Sequence, residues 1–205
     1  MIKLFVFDLG NVILPFDHRQ IPARLLERSK EKERFSAQEV FQFMFDGEHG
    51  FVNSYEEGCM SSLEFFSHLK ERYRLEMNFE EFKGIWNPIF REDEEVVRII
   101  HYLKDRGYPL FLLSNTNELH MTFIEKGYPV VHVFDEWILS FEVGVKKPHR
   151  KIYDEIFKRI DIGKNEAFYI DDVEGYVEAA KGYGLKGMVF RKAQELQDML
   201  KKYNV

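Results

Sequence analysis

Polar side chains that could carry out chemistry follow directly after short apolar runs at several places in this sequence. They are Asp8, Ser114 with Asn115, and the adjacent pair Asp171 and Asp172. A short apolar run that ends at a turn signal is typical of a strand buried on both faces of a parallel sheet. Because the carboxyl ends of parallel strands form one edge, where open α/β sheets bind ligands, we expect these side chains to converge. Asp8 alone would indicate no more than a turn, and the later segments are what favour a site.

A lysine could reach the same edge from residues 144–148, between the third and fourth predicted strands. Carboxylates, a hydroxyl, an amide and an ammonium together favour phosphoryl chemistry, since a carboxylate can attack phosphorus and divide a difficult hydrolysis into two easier steps. Carboxylates with few nitrogen or sulfur ligands nearby select a hard cation such as Mg²⁺, which would offset their repulsion of a phosphate dianion. The lysine and the serine would then donate hydrogen bonds to the remaining phosphate oxygens.

The elements that must position these side chains alternate between strand and helix from Asp93 onward. The predicted strands cover residues 4–7, 110–113, 137–139, 167–170 and 188–190, and the predicted helices cover residues 94–104, 119–125, 151–159, 176–181 and 193–203. Strands that alternate with helices imply a parallel sheet with right-handed crossovers and helices on both faces. The predicted fold class is therefore α/β, with a doubly wound, five-stranded parallel sheet.

Residues 16–90 have a different character, because they are charged and carry apolar residues at helical spacing. Ser36, Ser61 or Ser62, and Asn78 are the expected N-caps of helices in this segment. We find no strand pattern here, so we predict a small helical bundle inserted after the first strand. The expected domains are a core of residues 1–15 and 91–205 and an inserted helical domain of residues 16–90.

Length, net charge and cysteine count argue against several classes of protein. The chain has 205 residues, a formal net charge of −6 and no basic stripe, which argues against a nucleic-acid partner. No apolar run approaches the length of a membrane helix. The single cysteine, Cys59, cannot form an internal disulfide, so we expect a reduced, cytoplasmic setting and a buried or half-buried thiol. Lys146 is expected on the solvated surface.

Four segments resemble the four motifs of the haloacid dehalogenase (HAD) superfamily of hydrolases. They are Leu4–Val12, Leu112–Asn115, Lys147-Pro148 and Tyr169–Asp172. Each motif is weak alone, but their order and their positions at the ends of predicted elements make the resemblance strong. The helical insertion takes the place of the family's cap domain. The first two segments also resemble a bacterial subgroup of sugar-phosphate phosphatases whose best-known member acts on α-D-glucose 1-phosphate.

The resemblance implies a Mg²⁺-dependent phosphatase that forms an aspartyl-phosphate and acts on a small phosphorylated metabolite, a sugar phosphate in this subgroup. It implies that Asp8 is the nucleophile and that Lys147 pairs with Asp8 and the phosphate. Ser114 and Asn115 would hold the phosphate together with Lys147. The implied metal ligands are Asp8, the backbone carbonyl of Gly10, Asp171 and Asp172.

Gly10 departs from the family pattern, since most family phosphatases have a second aspartate there as general acid and base. Such catalysis is worth about 10² to 10⁴ in rate. We favour a phosphatase in which Asp17 or a metal-bound water takes over, because the resembled subgroup shares the glycine. A metal-independent 2-haloacid dehalogenase is one alternative, against which the pair Asp171-Asp172 argues. A non-catalytic HAD-fold binding protein is the other, but clustered carboxylates are costly without a cation. If the missing acid limits the rate, an aspartate at Gly10 should raise activity on poor leaving groups.

Overall fold

The computed structural model describes residues 1–205, with the side chain of Glu48 excepted. Five strands form one parallel sheet in the order β3-β2-β1-β4-β5. The strands are β1 (Leu4–Phe7), β2 (Leu110–Ser114), β3 (Glu136–Leu139), β4 (Ala167–Asp171) and β5 (Lys186–Val189). The first strand is central, because Phe7 is in register with Leu112 on one side and Ile170 on the other. The predicted fold class and the five-stranded parallel sheet are confirmed.

Eleven α-helices accompany the sheet within the described chain. They are α1 (Ile21–Leu26), α2 (Ala37–Phe45), α3 (Val52–Glu56), α4 (Ser62–Tyr73), α5 (Phe79–Trp86), α6 (Glu94–Asp105), α7 (Glu118–Gly127), α8 (Ser140–Val143), α9 (Arg150–Phe157), α10 (Glu174–Tyr183) and α11 (Ala193–Lys202). Ser36, Ser61 and Asn78 each form the predicted N-cap as part of a capping box, which satisfies free backbone N–H groups at the helix start. Among the described residues, no helix has both the length and the apolar character needed to cross a membrane.

Side chains alternate between the two faces of β1, and each face has its own core. Phe5 and Phe7 join a cluster that includes residues of α6, α7 and α11. Leu4 and Val6 join a second cluster with residues of α9 and α10. Such alternation explains why all four residues are apolar, since a strand in a doubly covered parallel sheet is buried on both sides.

The helical insertion, residues 16–90, has a third hydrophobic cluster with Trp86, Phe65 and Phe82 fully buried. Leu119 of α7 also belongs to this cluster, so the insertion packs against the rest of the chain. The two connecting segments run side by side, because Phe16 and Phe90 form an antiparallel bridge. The exact domain boundaries at residues 15/16 and 90/91 stay a prediction.

Three details differ from the sequence predictions. The last strand covers Lys186–Val189, whereas residues 188–190 were predicted. Its start is defined by pairing with β4, which the apolar content of the sequence does not show. The short helices α3 and α8 were not predicted, since four or five residues are too few to show a helical period. The prediction of a buried or half-buried Cys59 was wrong, because this thiol is exposed.

Candidate active site

The carboxyl ends of the three central strands meet at one edge of the sheet and bring the predicted side chains together. Asp8 directly follows β1, Ser114 ends β2, and Asp171 ends β4. These strands are neighbours in the sheet, with β1 between β2 and β4. Parallel register therefore places residues that are more than 160 positions apart in the sequence side by side.

Lys147 is the centre of the polar contacts at this edge. Its Nζ donates to Asp8 Oδ1 at 2.6 Å, to Asp171 Oδ2 at 2.7 Å and to the Leu113 carbonyl at 3.1 Å. The Lys147 side chain is only 1% exposed. Burial alone would lower the pKa of Lys147, but the two carboxylates raise it above its ordinary value. The lysine is therefore an ammonium ion at any physiological pH.

Asn115 fixes the loop that carries this lysine. Its side-chain oxygen accepts a hydrogen bond from the backbone N–H of Lys147 at 2.8 Å, and its amide nitrogen donates to the Lys147 carbonyl at 3.2 Å. The same nitrogen donates to the Tyr176 hydroxyl at 3.4 Å. Asn115 thus joins the end of β2 to the lysine loop and to α10.

Three carboxylates converge beside the ammonium. Oxygen atoms of Asp8, Asp171 and Asp172 all lie within 4.8 Å of one another. Burial raises the pKa of Asp8 to about 7; Lys147 opposes this shift, and the neighbouring Asp171 adds to it. Burial and Asp171 also raise the pKa of Asp172. Three carboxylates beside one ammonium group form an excess of negative charge. Such a cluster of oxygen ligands suits a hard divalent cation.

Asp171 is the most enclosed of the three acids, with no exposed surface. Its carboxylate accepts hydrogen bonds from Lys147, from the Tyr169 hydroxyl and from the backbone N–H of Val173 at 2.8 Å. Asp172 is half-buried and lines the open cleft. The two neighbouring acids therefore differ, since one is held by the protein and the other faces the space where a ligand would enter.

A cleft of about 750 Å³ opens above this cluster, between the sheet edge and the helical insertion. Asp8, Gly10, Asn115, Lys147 and Asp172 line it on the sheet side. A smaller cavity of about 130 Å³ adjoins it and is lined by Gly10, Ser114 and Asn115 among others. The structure therefore places Ser114 beside the smaller cavity, with its side chain buried, while Asn115 contacts both spaces.

The match to a family model decides the identity of this fold. The model, described as haloacid dehalogenase-like hydrolase, matches residues 2–184 of the chain. The chain belongs to the haloacid dehalogenase-like hydrolases. The family resemblance expected from the four sequence motifs is thus confirmed.

Relatives of this hydrolase include phosphatases. D-ribitol-5-phosphate phosphatase of Bacteroides thetaiotaomicron is 28% identical over 199 residues, which are 91% of this chain and 90% of the relative. A glyceraldehyde 3-phosphate phosphatase of Pyrococcus abyssi is 26% identical over 102 residues, which are 49% of this chain and 43% of the relative. A HAD family enzyme of Bacteroides thetaiotaomicron, solved with magnesium and inorganic phosphate, shares the fold with a TM-score of 0.81 at 23% identity, over 96% of this chain and 99% of that one.

Phe16 occupies the space beside Gly10, where most phosphatases of the family carry their second aspartate. A Cβ atom at Gly10 would lie 2.7 Å from Cε1 of Phe16, closer than real Cβ contacts. A contact between residues six apart in a turn has no periodic signal that could have revealed it.

Asp17 forms an ion pair with Arg19, and this contact makes its carboxyl group a stronger acid than usual. Its carboxylate forms two hydrogen bonds of 2.8 Å with the Arg19 guanidinium, and 49% of its side chain is exposed. The hydrogen bonds from Arg19 hold the pKa of Asp17 well below its usual range. Asp17 is therefore ionised at neutral pH and is a poor proton donor, so this structure does not support it as the replacement acid.

His18 lies in the cleft and not on the solvated surface. Its ring packs against Phe45, with ring centroids 4.4 Å apart, and stacks on Phe41 at 5.3 Å. Burial lowers the pKa of His18, so the imidazole is neutral at physiological pH. It lines both the cleft and the smaller cavity, together with the aromatic ring of Phe16.

Lys146 was expected on the solvated surface, but its side chain is only 17% exposed. Its Nζ lies 3.2 Å from Glu56 Oε2 and also donates to the side-chain oxygen of Asn53. Both partners are on α3, in the helical insertion. Sequence reasoning missed both contacts, because a short helix 90 residues away gives no indication of which loop it faces.

Proposed function

We propose that this hydrolase is a Mg²⁺-dependent phosphatase that acts on a small phosphomonoester, with Asp8 as the nucleophile. The observation that carries the proposal is the contact of Lys147 with both Asp8 and Asp171, at the centre of three clustered carboxylates. The phosphatase names of the relatives from Bacteroides and Pyrococcus support the reaction class. The polyol phosphate in the first name supports a sugar-phosphate or polyol-phosphate substrate.

The residues fit a Mg²⁺ ion. Asp8, Asp171 and Asp172 supply only oxygen ligands within 4.8 Å of one another, and burial raises the pKa of Asp8 and Asp172 in the absence of a compensating cation. We propose these three carboxylates and the Gly10 carbonyl as the protein ligands. Bound there, Mg²⁺ would offset the repulsion between the carboxylates and a phosphate dianion. The magnesium in the structural neighbour with phosphate is in line with this proposal.

Asp8 and Lys147 divide the chemical work in the proposed mechanism. Lys147 donates to Oδ1 of Asp8, which orients the carboxylate and leaves Oδ2 to attack phosphorus. The bond from phosphorus to the ester oxygen breaks, and the leaving oxygen departs with the electron pair and takes up a proton from solvent water. A second water then attacks the phosphorus of the aspartyl-phosphate, which releases inorganic phosphate and a proton and regenerates the Asp8 carboxylate.

The phosphate contacts come from the same sheet edge. We propose that the Ser114 hydroxyl and the backbone N–H of Asn115 hold the phosphate together with the Lys147 ammonium, because charge-assisted donors are the stronger ones for an anion. Asn115 has a further part as a positioning residue, since it bonds both backbone polar groups of Lys147. We also propose that residues 16–90 form a cap domain, which covers the cleft and contacts the leaving group.

Phosphate release from p-nitrophenyl phosphate tests the reaction class. We expect release with Mg²⁺ and almost none after the metal is chelated, and we expect no halide from 2-chloropropionate. Halide release without metal would move the assignment to a dehalogenase. Failure to hydrolyse p-nitrophenyl phosphate and D-ribitol 5-phosphate with Mg²⁺ present would contradict the proposal.

A further inference from the structure

Glu56 and Lys146 form an ion pair that lines the cleft and is separate from the cluster of Asp8, Asp171 and Asp172. Glu56 ends α3 of the helical insertion, whereas Lys146 precedes the lysine that contacts Asp8. Their charged atoms lie 3.2 Å apart, and their side chains are 22% and 17% exposed. Both residues line the cleft, and Asn53 lines it beside them and accepts a hydrogen bond from Lys146. A charged group and an amide from α3 therefore face the sheet edge.

Stability alone does not explain such a pair. Charges that are largely withdrawn from water lose hydration, and their mutual attraction often does no more than offset that loss. Burial raises the pKa of Glu56, although the Lys146 ammonium opposes the shift. A carboxylate can accept several hydrogen bonds, so the contact at Oε2 leaves capacity for further donors. The arrangement has the composition of a polar binding site.

The position of Glu56 relates it to the reaction centre. It lines the smaller cavity as well as the cleft, and that cavity is also lined by Ser114 and Asn115. A volume of about 130 Å³ holds only a few water molecules. Glu56 therefore lines the same space as the residues proposed to hold the phosphate, and the alcohol part of a phosphate ester would extend into this space.

We propose that Glu56, with Lys146 and Asn53, binds hydroxyl groups of the leaving alcohol, so that the substrate is the phosphate ester of a neutral, polyhydroxylated alcohol. This inference rests on the phosphatase function proposed above. A carboxylate paired with an ammonium offers both acceptors and donors to neighbouring hydroxyls. A site built in this way discriminates strongly against an analogue that lacks the hydroxyls, because its polar groups are then left without partners.

Another part of the cleft lining is aromatic. Phe16, His18 and Phe45 line it, and the rings of His18 and Phe45 are packed together. Aromatic walls with a few placed polar groups are usual in sites for small molecules. The C–H surface of a polyol or sugar can lie against these rings while its hydroxyls reach α3.

The charges also predict what the cleft rejects. Glu57 lines the cleft next to Glu56, so two carboxylates face one ammonium in this part of it. An alcohol with its own carboxylate would place like charges together in a partly dehydrated space, which is unfavourable. We therefore expect a preference for an alcohol end over an acid end of equal length.

Three five-carbon esters test this inference: D-ribitol 5-phosphate, 5-phospho-D-ribonate and n-pentyl phosphate. We expect kcat/KM of the wild-type protein to be at least about tenfold higher on the ribitol ester than on the other two, as the loss of hydrogen bonds to charged groups implies. In Glu56→Gln we expect kcat/KM to fall about tenfold or more on the ribitol ester and to rise on the ribonate ester. Glu80→Gln is the matched control, because Glu80 is 77% exposed and pairs with Lys83 on the surface of α5.

The outcomes separate this inference from the phosphatase proposal. Equal kcat/KM values on the three esters in the wild type, or an equal loss on all three in Glu56→Gln, would overturn the hydroxyl-binding role alone. Asn53→Ala provides the same comparison if Glu56→Gln fails to fold, and an equal loss on all three esters in that variant would overturn the role too. No phosphate release from the wild type on these esters or on p-nitrophenyl phosphate would overturn both the function and this inference.

Discussion

The ring of Phe16 packs against Gly10 so closely that a Cβ atom at the glycine would lie 2.7 Å from Cε1 of the ring. Gly10 is two residues after Asp8, and Phe16 begins the segment that leads into the helical insertion. The ring also contacts Phe90, in the segment that leads back from the insertion. The ring of Phe16 therefore fills the space that a side chain at Gly10 would need, and an acid there would have to displace the ring.

We expect Gly10→Asp to lower activity, in contrast to the gain that sequence reasoning suggested if a missing acid limits the rate. The new side chain must displace Phe16, and overpacking of this kind costs about 1–3 kcal/mol of stability. It would also add a fourth carboxylate beside Asp8. Urea unfolding and phosphate release measure the two effects. Phe16→Ala combined with Gly10→Asp should recover part of the stability, and higher activity in the single variant would refute this packing argument.

Asp8→Asn should leave the fold intact and reduce phosphate release by more than about 10³-fold, because the amide is not a nucleophile. Asp17→Asn is the matched control, since Asp17 is nearby but bonds the exposed Arg19. We expect the control to stay within about twofold of the wild type. Steady-state rates with Mg²⁺ and circular dichroism of both variants provide the comparison. Ordinary activity in Asp8→Asn would rule out the aspartyl-phosphate.

Lys147→Met should destabilise the protein without metal, because Asp8 and Asp171 lose the ammonium that both contact. Removing one partner of a buried ion pair costs about 3–5 kcal/mol. Lys201→Met, which removes the exposed partner of Asp198, should change stability by less than about 0.5 kcal/mol. Denaturant unfolding of the two variants measures the difference, and similar values for both would show that the buried lysine is not needed to hold the carboxylates.

The affinity for Mg²⁺ should increase as the pH rises toward 7. Burial raises the pKa of Asp8 to about 7, with Lys147 opposing the shift and Asp171 adding to it, so the folded protein retains a proton that the unfolded chain releases near pH 4. Without metal, the folded state binds more protons over that interval, and the contribution of Asp8 to stability therefore falls as the pH rises.

Mg²⁺ must displace this proton, so the apparent affinity should rise up to about tenfold per pH unit below pH 7 and level off above it. Calorimetric titration in buffers of different ionisation enthalpy measures both the affinity and the released proton. Asp8→Asn is the control, since it should bind more weakly and lose most of the pH dependence. A wild-type affinity that does not change with pH would contradict the expected shift.

Local sequence patterns were sufficient to predict the strands and several helix starts. Apolar runs predicted all five strands, Ser36 and Asn78 were recognised as N-caps, and Ser61 was one of two candidates for a third, because strand burial and helix capping depend on residues close together in the chain. The edge that holds Asp8 and Asp171 was also predictable, since parallel strands have a fixed direction and their carboxyl ends must coincide.

The sequence by itself thus determined the α/β class, the five-stranded sheet and the residues at its carboxyl edge. Only the tertiary structure decided that Phe16 fills the space at Gly10, that Asp17 bonds Arg19 and that Lys146 reaches Glu56. The physical reason is that these contacts depend on how a loop or a short helix is oriented, which packing of the whole chain selects. Lys146 and Glu56 are 90 residues apart, and no periodic pattern or strand direction relates their positions.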